Sequence, residues 1–172
     1  MLEDVYDFLV AFLPELDPDH ILQGYNTRTV LPRTEDFCII SVADEGRTGS
    51  NVQTYTDDET TLARLLNATI ELDFIGNDME KQLRRASVVE IVARSLEGYA
   101  FFKKRGLFCN YADGPEYLPY VYEDNQYTHR FRVNLHLTKW ERVTIPQQTA
   151  NQVEATRIVN VDTYKTPPDG GA

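Results

Sequence analysis

The sequence predicts an α+β fold: one domain in which an antiparallel β-sheet packs against two main α-helices. Three observations lead there. "YTHRFRVNLHL", Tyr127 to Leu137, places Phe131, Val133, Leu135 and Leu137 on one side of a strand and Thr128, Arg130, Arg132, Asn134 and His136 on the other. "ARLLNATIELDFIG" repeats that period of two, with Leu66, Ala68, Ile70, Leu72 and Phe74 on its apolar side. Leu2, Val5, Tyr6, Leu9, Phe12 and Leu13 recur instead at helical spacing, as do Met79, Leu83, Ala86, Val89, Val92, Leu96 and Tyr99. Helix, strands, helix and strands in that order favour an antiparallel sheet over a βαβ repeat.

Each element has its own justification. The first helix carries Glu3 and Asp4 where its positive dipole end favours acids, and Pro14 ends it. "ILQGYNTRTV" lies between two turn-rich segments and reads as irregular or as a short strand. Asp36 to Asp44 is a strand, and Glu45 to Thr60 reads as a long polar excursion, with "GRTGS" as a loop. Asn77 or Asp78 caps a helix that runs unbroken to Lys103, Lys104 and Arg105, where Gly106 stops it. "NYADGPEYLPYVYEDNQ" is too rich in turn formers for regular structure. The strand from Tyr127 extends to Val143, with Pro146 beyond it. A last strand, "EATRIVNVD", completes a domain of residues 1–162, and residues 163–172 form an extended tail.

Bulk composition narrows the function. A net charge of −10 argues against a broad phosphate-gripping surface. The charge is uneven: Met1 to Gly76 holds 15 acids and 4 bases, whereas Asn77 to Gly106 holds 4 acids and 7 bases. Cys38 and Cys109 form no CxxC spacing and read as reduced thiols of a cytosolic product, a disulfide being the alternative. The amino terminus is acidic where a signal peptide is basic, and no run has the length of a membrane span, so the expectation is a soluble protein without a membrane partner.

Catalytic chemistry finds no foothold, and the expectation is a protein that is not an enzyme and needs no cofactor or metal. His129 and His136 point to opposite sides of their strand and His20 sits in a turn, so no shared metal follows. "GRTGS" lacks the lysine spacing of a phosphate loop, and no GxSxG occurs. Asp57, Asp58 and Glu59 form the one tight carboxylate cluster, read as a solvated loop in preference to a cation site. "NAT" at Asn67 fits a glycosylation sequon but lies mid-strand.

"TGSNVQTY" ahead of "ATIELDFIG", then "YADGPEYLPYVYEDNQY" running into the alternating strand and "VTIPQ", resembles the neck or tail terminator proteins of tailed bacteriophages, of the lambda U type. The resemblance spans most of Met1 to Asp162. It implies a virion protein of the tail or neck, assembled in the host cytoplasm as a ring, usually a homohexamer. Such a ring caps the tail tube protein and docks the head–tail connector or stopper, and DNA passes through it without specific binding. Within the same class, a stopper, adaptor or tube subunit is the alternative. Outside it stand an acidic DNA mimic and, last, a small enzyme.

Two sets of surface candidates follow. Lys81, Arg84, Arg85, Lys103, Lys104 and Arg105 on the basic helix, with Arg130, Arg132, Glu71 and Asp73 on the strands, are candidates for contact between ring neighbours, a basic patch of one copy meeting an acidic patch of the next. Should the strand of Glu71 and Asp73 pair with that of Arg130 and Arg132, those charges neutralise one another across the ladder. Arg47, Asn51, Gln53, Tyr55, Asp57 and Asp58 on the polar excursion are candidates for contact with the tube or connector.

Overall fold

The computed structural model describes residues 1–24, 36–56, 59–121 and 127–146. Helix α1 spans Leu2–Phe12, and a 3₁₀ turn at Pro18–His20 leads into strand β1, Ile21–Gln23. Two long strands follow, β2 at Phe37–Tyr55 and β3 at Glu59–Gly76. Helices α2, Met79–Ala93, and α3, Leu96–Lys104, precede the short strands β4, Leu107–Ala112, β5, Glu116–Tyr117, and β6, Tyr120–Val121. Strand β7, Tyr127–Pro146, is last among the described residues. The expected strand over 154–162 and the tail lie outside them, as do Asp57 and Asp58.

The sheet order is β1-β2-β3-β7-β4, with β5 and β6 also hydrogen-bonded along β7. β1 runs parallel to β2, and the remaining pairs are antiparallel. The alternation of the two long strands has the consequence expected of it. Ile70, Leu72, Phe74, Val133 and Leu135 are fully buried on one side of the sheet, where the three helices cover them. Phe8 of α1 stacks on Phe102 of α3 with centroids 4.8 Å apart, and both rings are inaccessible to solvent.

Four expectations are corrected. The polar excursion is not a loop: β2 continues to Tyr55, β3 begins at Glu59, and the two form one hairpin. Pairing overrides composition here, because the backbone N–H and C=O groups that face β3 enter the ladder whatever the side chains are. "GRTGS" is strand interrupted by an irregularity between Thr48 and Val52, where Gly49 adopts a φ of 79° that side chains disfavour. The Tyr- and Pro-rich connection supplies the end of β4 and two further short strands, since the outer edge of β7 offers free ladder positions to an adjacent segment.

The basic helix is two helices. Ser95 breaks it by taking extended backbone and accepting a hydrogen bond from Gly98 N–H at 3.2 Å. Its buried side is also rotated from the expected stripe: Leu96 is 77% exposed and Met79 47%, whereas Gln82, Arg85, Ala86, Val89 and Ala93 face inward. Arg85 and Gln82 turn inward because Asp36, at the start of the sheet, supplies a partner for the guanidinium at 3.2 Å. The expected cap is present: Asp78 accepts from Lys81 N–H at 3.0 Å.

Candidate interaction surface

The side of the sheet away from the helices is built from polar residues that largely pair with one another, with Arg130 Nε and Asn134 Oδ1 buried there without a hydrogen-bond partner among the described residues. β3 and β7 pair without a register shift, so Asp73 lies opposite Arg132, and Glu71 is one step along on the same side. Arg132 donates to Glu71 at 2.8 Å and to both oxygens of Asp73, and Arg130 reaches Asp73 at 2.5 Å. Burial raises the Asp73 pKa, but the hydrogen bonds from Arg132 and Arg130 outweigh it, and the carboxyl is held below its ordinary range. The charges that the alternating strand presents are thus answered within the subunit.

A second network continues across the same side. His136 meets Asp113 at 3.1 Å through Nε2 and Thr69 at 3.2 Å through Nδ1, and its ring stacks on Tyr111 with centroids 4.0 Å apart. Hydrogen bonding to His136 lowers the Asp113 pKa. Thr138 donates to Asn67 at 2.9 Å and accepts from Asn110 at 2.6 Å. A carboxylate, an imidazole and a hydroxyl in line have the order of a nucleophile relay. Thr69, however, lies mid-strand between β2 and β7, where the ladders occupy the neighbouring backbone amides that an oxyanion site needs. Among the described residues no group of three or more His, Cys, Asp or Glu is placed to hold a metal ion, and no helix is long and apolar enough to cross a membrane.

The basic candidates divide. Lys81 and Arg85 converge on Asp36 at 2.5 and 3.2 Å, and Arg85 is only 2% exposed. Arg105 pairs with Asp7 at 3.3 Å and lies 3.8 Å from Asp4, while its guanidinium covers the Phe101 ring. Much of the acid–base complementarity seen along the chain is therefore consumed inside one subunit. Arg84, Lys103 and Lys104 remain on the surface, with Lys103 over the Tyr99 ring.

The tube-contact candidates among the described residues share one structural unit. Beyond the last core layer at Leu66 and Leu137, β2, β3 and β7 run on together as a three-stranded ribbon. Arg47, Asn51, Gln53 and Tyr55 are exposed along its outer strand. Arg64 and Glu141, directly opposed in the ladder, are joined at 2.6 Å. The ribbon also exposes Val52, Tyr55, Trp140, Val143 and Ile145. Register puts Val52 and Trp140 on one side, Tyr55, Val143 and Ile145 on the other. The sequence carries a sign of this: Val143 and Ile145 differ in parity from Trp140, and apolar residues on both parities of a strand signal a segment that a single core cannot cover.

No curated protein matches the sequence. The family model described as phage neck terminator protein matches residues 3–166. An α+β body carrying a ribbon with exposed apolar residues on both sides suits a structural component of a phage head–tail junction, and the chain belongs to the phage neck terminator protein family.

Proposed function

We propose that the protein is a tail terminator: identical copies, most simply six, close a ring that caps the tail tube and joins it to the head connector, and DNA passes through the lumen at ejection. The ring is part of the virion neck and is assembled in the host cytoplasm. The role is structural, without catalysis or cofactor.

The ribbon is the observation that carries this reading. About eight residues of each strand project past the core, roughly 25 Å of three-stranded sheet. Its exposed Trp140, Val143, Ile145, Val52 and Tyr55 suit a component that gains cover by assembly. Asn51, Gln53 and Tyr55, toward the ribbon tip, meet the tube or connector, and Arg84, Lys103 and Lys104 remain available to neighbouring copies. A net charge of −10 supports a lumen that repels DNA and lets it slide.

Negative-stain electron microscopy of the purified protein, with a tube-polymerisation assay, tests the proposal. Rings of tail width that stop tube growth at a defined length are expected. A protein that stays monomeric at high concentration and leaves tube length unlimited overturns it.

A further inference from the structure

The ribbon has two open edges, one on each flank. β1 pairs with β2 only as far as Ile40, so among the described residues the outer edge of β2 from Val42 onward carries no strand. β4 pairs with β7 only from Leu135 to Lys139, so among the described residues the outer edge of β7 from Trp140 to Pro146 carries no strand either. An open edge is a row of unanswered N–H and C=O groups and a template for another strand. Both edges lie on the same three-stranded ribbon.

We propose that these two edges join in the ring, the β7 edge of one copy pairing with the β2 edge of the next, so that the sheets run on from subunit to subunit. This rests on the ring reading and names its contact. β2 and β7 are both antiparallel to β3 and run in the same direction, so rotation about an axis near the strand direction brings them together as a parallel pair. The stretch available on β2 is short. Register shifts lie between Val42 and Asp44 and between Thr48 and Val52, leaving Asp44 to Thr48 regular. Five residues of β7, Arg142 to Pro146, match it without a shift.

Charge selects this alignment. Asp44 and Glu45 on one edge and Lys139 and Arg142 on the other have no ion-pair partner among the described residues, so acids border one edge and bases the other. Setting Asp44 beside Arg142 puts opposite charges on the same side of the joined sheet, and Glu45 then falls beside Val143 and Gly46 beside Thr144. A second copy is thus the occupant that both edges fit. A different protein would need to satisfy only one of them and would leave the other bare.

Charge reversal and cross-linking test the contact. Asp44→Arg and Arg142→Asp are each expected to lose the ring on size-exclusion chromatography with mass detection, and the double variant to recover it. Gly46→Cys with Thr144→Cys is expected to give a ladder of covalent multimers on mild oxidation, because neighbouring strands place Cα atoms about 4.8 Å apart, within disulfide reach. Gly46 accepts a side chain, since a Cβ there meets no other atom within 4 Å. Circular dichroism identifies any reversal that fails to fold, and the cysteine pair then decides alone. Wild-type rings that persist through both reversals and yield no ladder overturn the edge contact and leave the terminator reading standing. A wild-type protein that never forms rings overturns both.

Discussion

Asp73 and Arg132 face each other across the β3–β7 ladder, joined by hydrogen bonds of 2.9 and 3.1 Å, with Arg130 on the same carboxylate. The Asp73 side chain is 6% exposed, so its charge is compensated by geometry and little by water. Asp73→Asn leaves two guanidinium groups facing an amide and is expected to destabilise the fold by about 2–3 kcal/mol at neutral pH. The folded carboxyl titrates below its unfolded value of about 3.9, so its contribution is full above that pH and fades as pH falls through the lowered value. Urea midpoints should therefore decline more steeply below pH 4 in the wild type than in Asp73→Asn.

Phe8 joins two elements that are distant in sequence. Its ring stacks on Phe102 and meets Phe12 at 4.9 Å and Phe101 at 5.5 Å. Phe8→Ala should cost about 3–5 kcal/mol, read as a lower denaturant midpoint. Phe12→Ala should cost less, because Phe12 is only partly buried.

Gly98 lies within α3, where alanine is ordinarily favoured by about 1 kcal/mol. A Cβ there would run into the Val92 carbonyl, which is backbone and cannot turn aside. Gly98→Ala should therefore destabilise by about 1–3 kcal/mol in thermal unfolding, the reverse of the propensity scale.

The two thiols should be quiet. Complete burial raises the Cys38 pKa well above its ordinary value, with Asp73 adding to the effect, and burial pushes Cys109 up to about 11. Thiolate is the reactive form, so at pH 8 native protein should take up alkylating reagent far more slowly than protein in urea. Mass spectrometry of timed samples checks this, and rapid labelling of Cys38 in the native state would contradict the buried placement.

The ribbon tip should separate folding from assembly. Asn51, Gln53 and Tyr55 are exposed, so changing each to alanine is expected to shift stability by about 0.5 kcal/mol or less, and all three together by at most about 1.5 kcal/mol. The same variant should fail to stop tube growth if the tip is the tube contact.

Local pattern determined the α+β class, α1, a cap at Asn77 or Asp78 and the buried side of β3 and β7, features that need only a period or a capping residue. That Glu71 and Asp73 meet Arg130 and Arg132 within one subunit followed only once β3 and β7 had paired. Tertiary structure decided the remainder. Strand pairing extended β2 and β3 through residues that look like loop, because a ladder bonds backbone whatever the side chains are. Asp36 drew Arg85 and Gln82 inward and rotated α2, a choice made by a partner more than 40 residues away in sequence. The open edges of the ribbon likewise have no local signature, since an edge is defined by which strand is missing beside it.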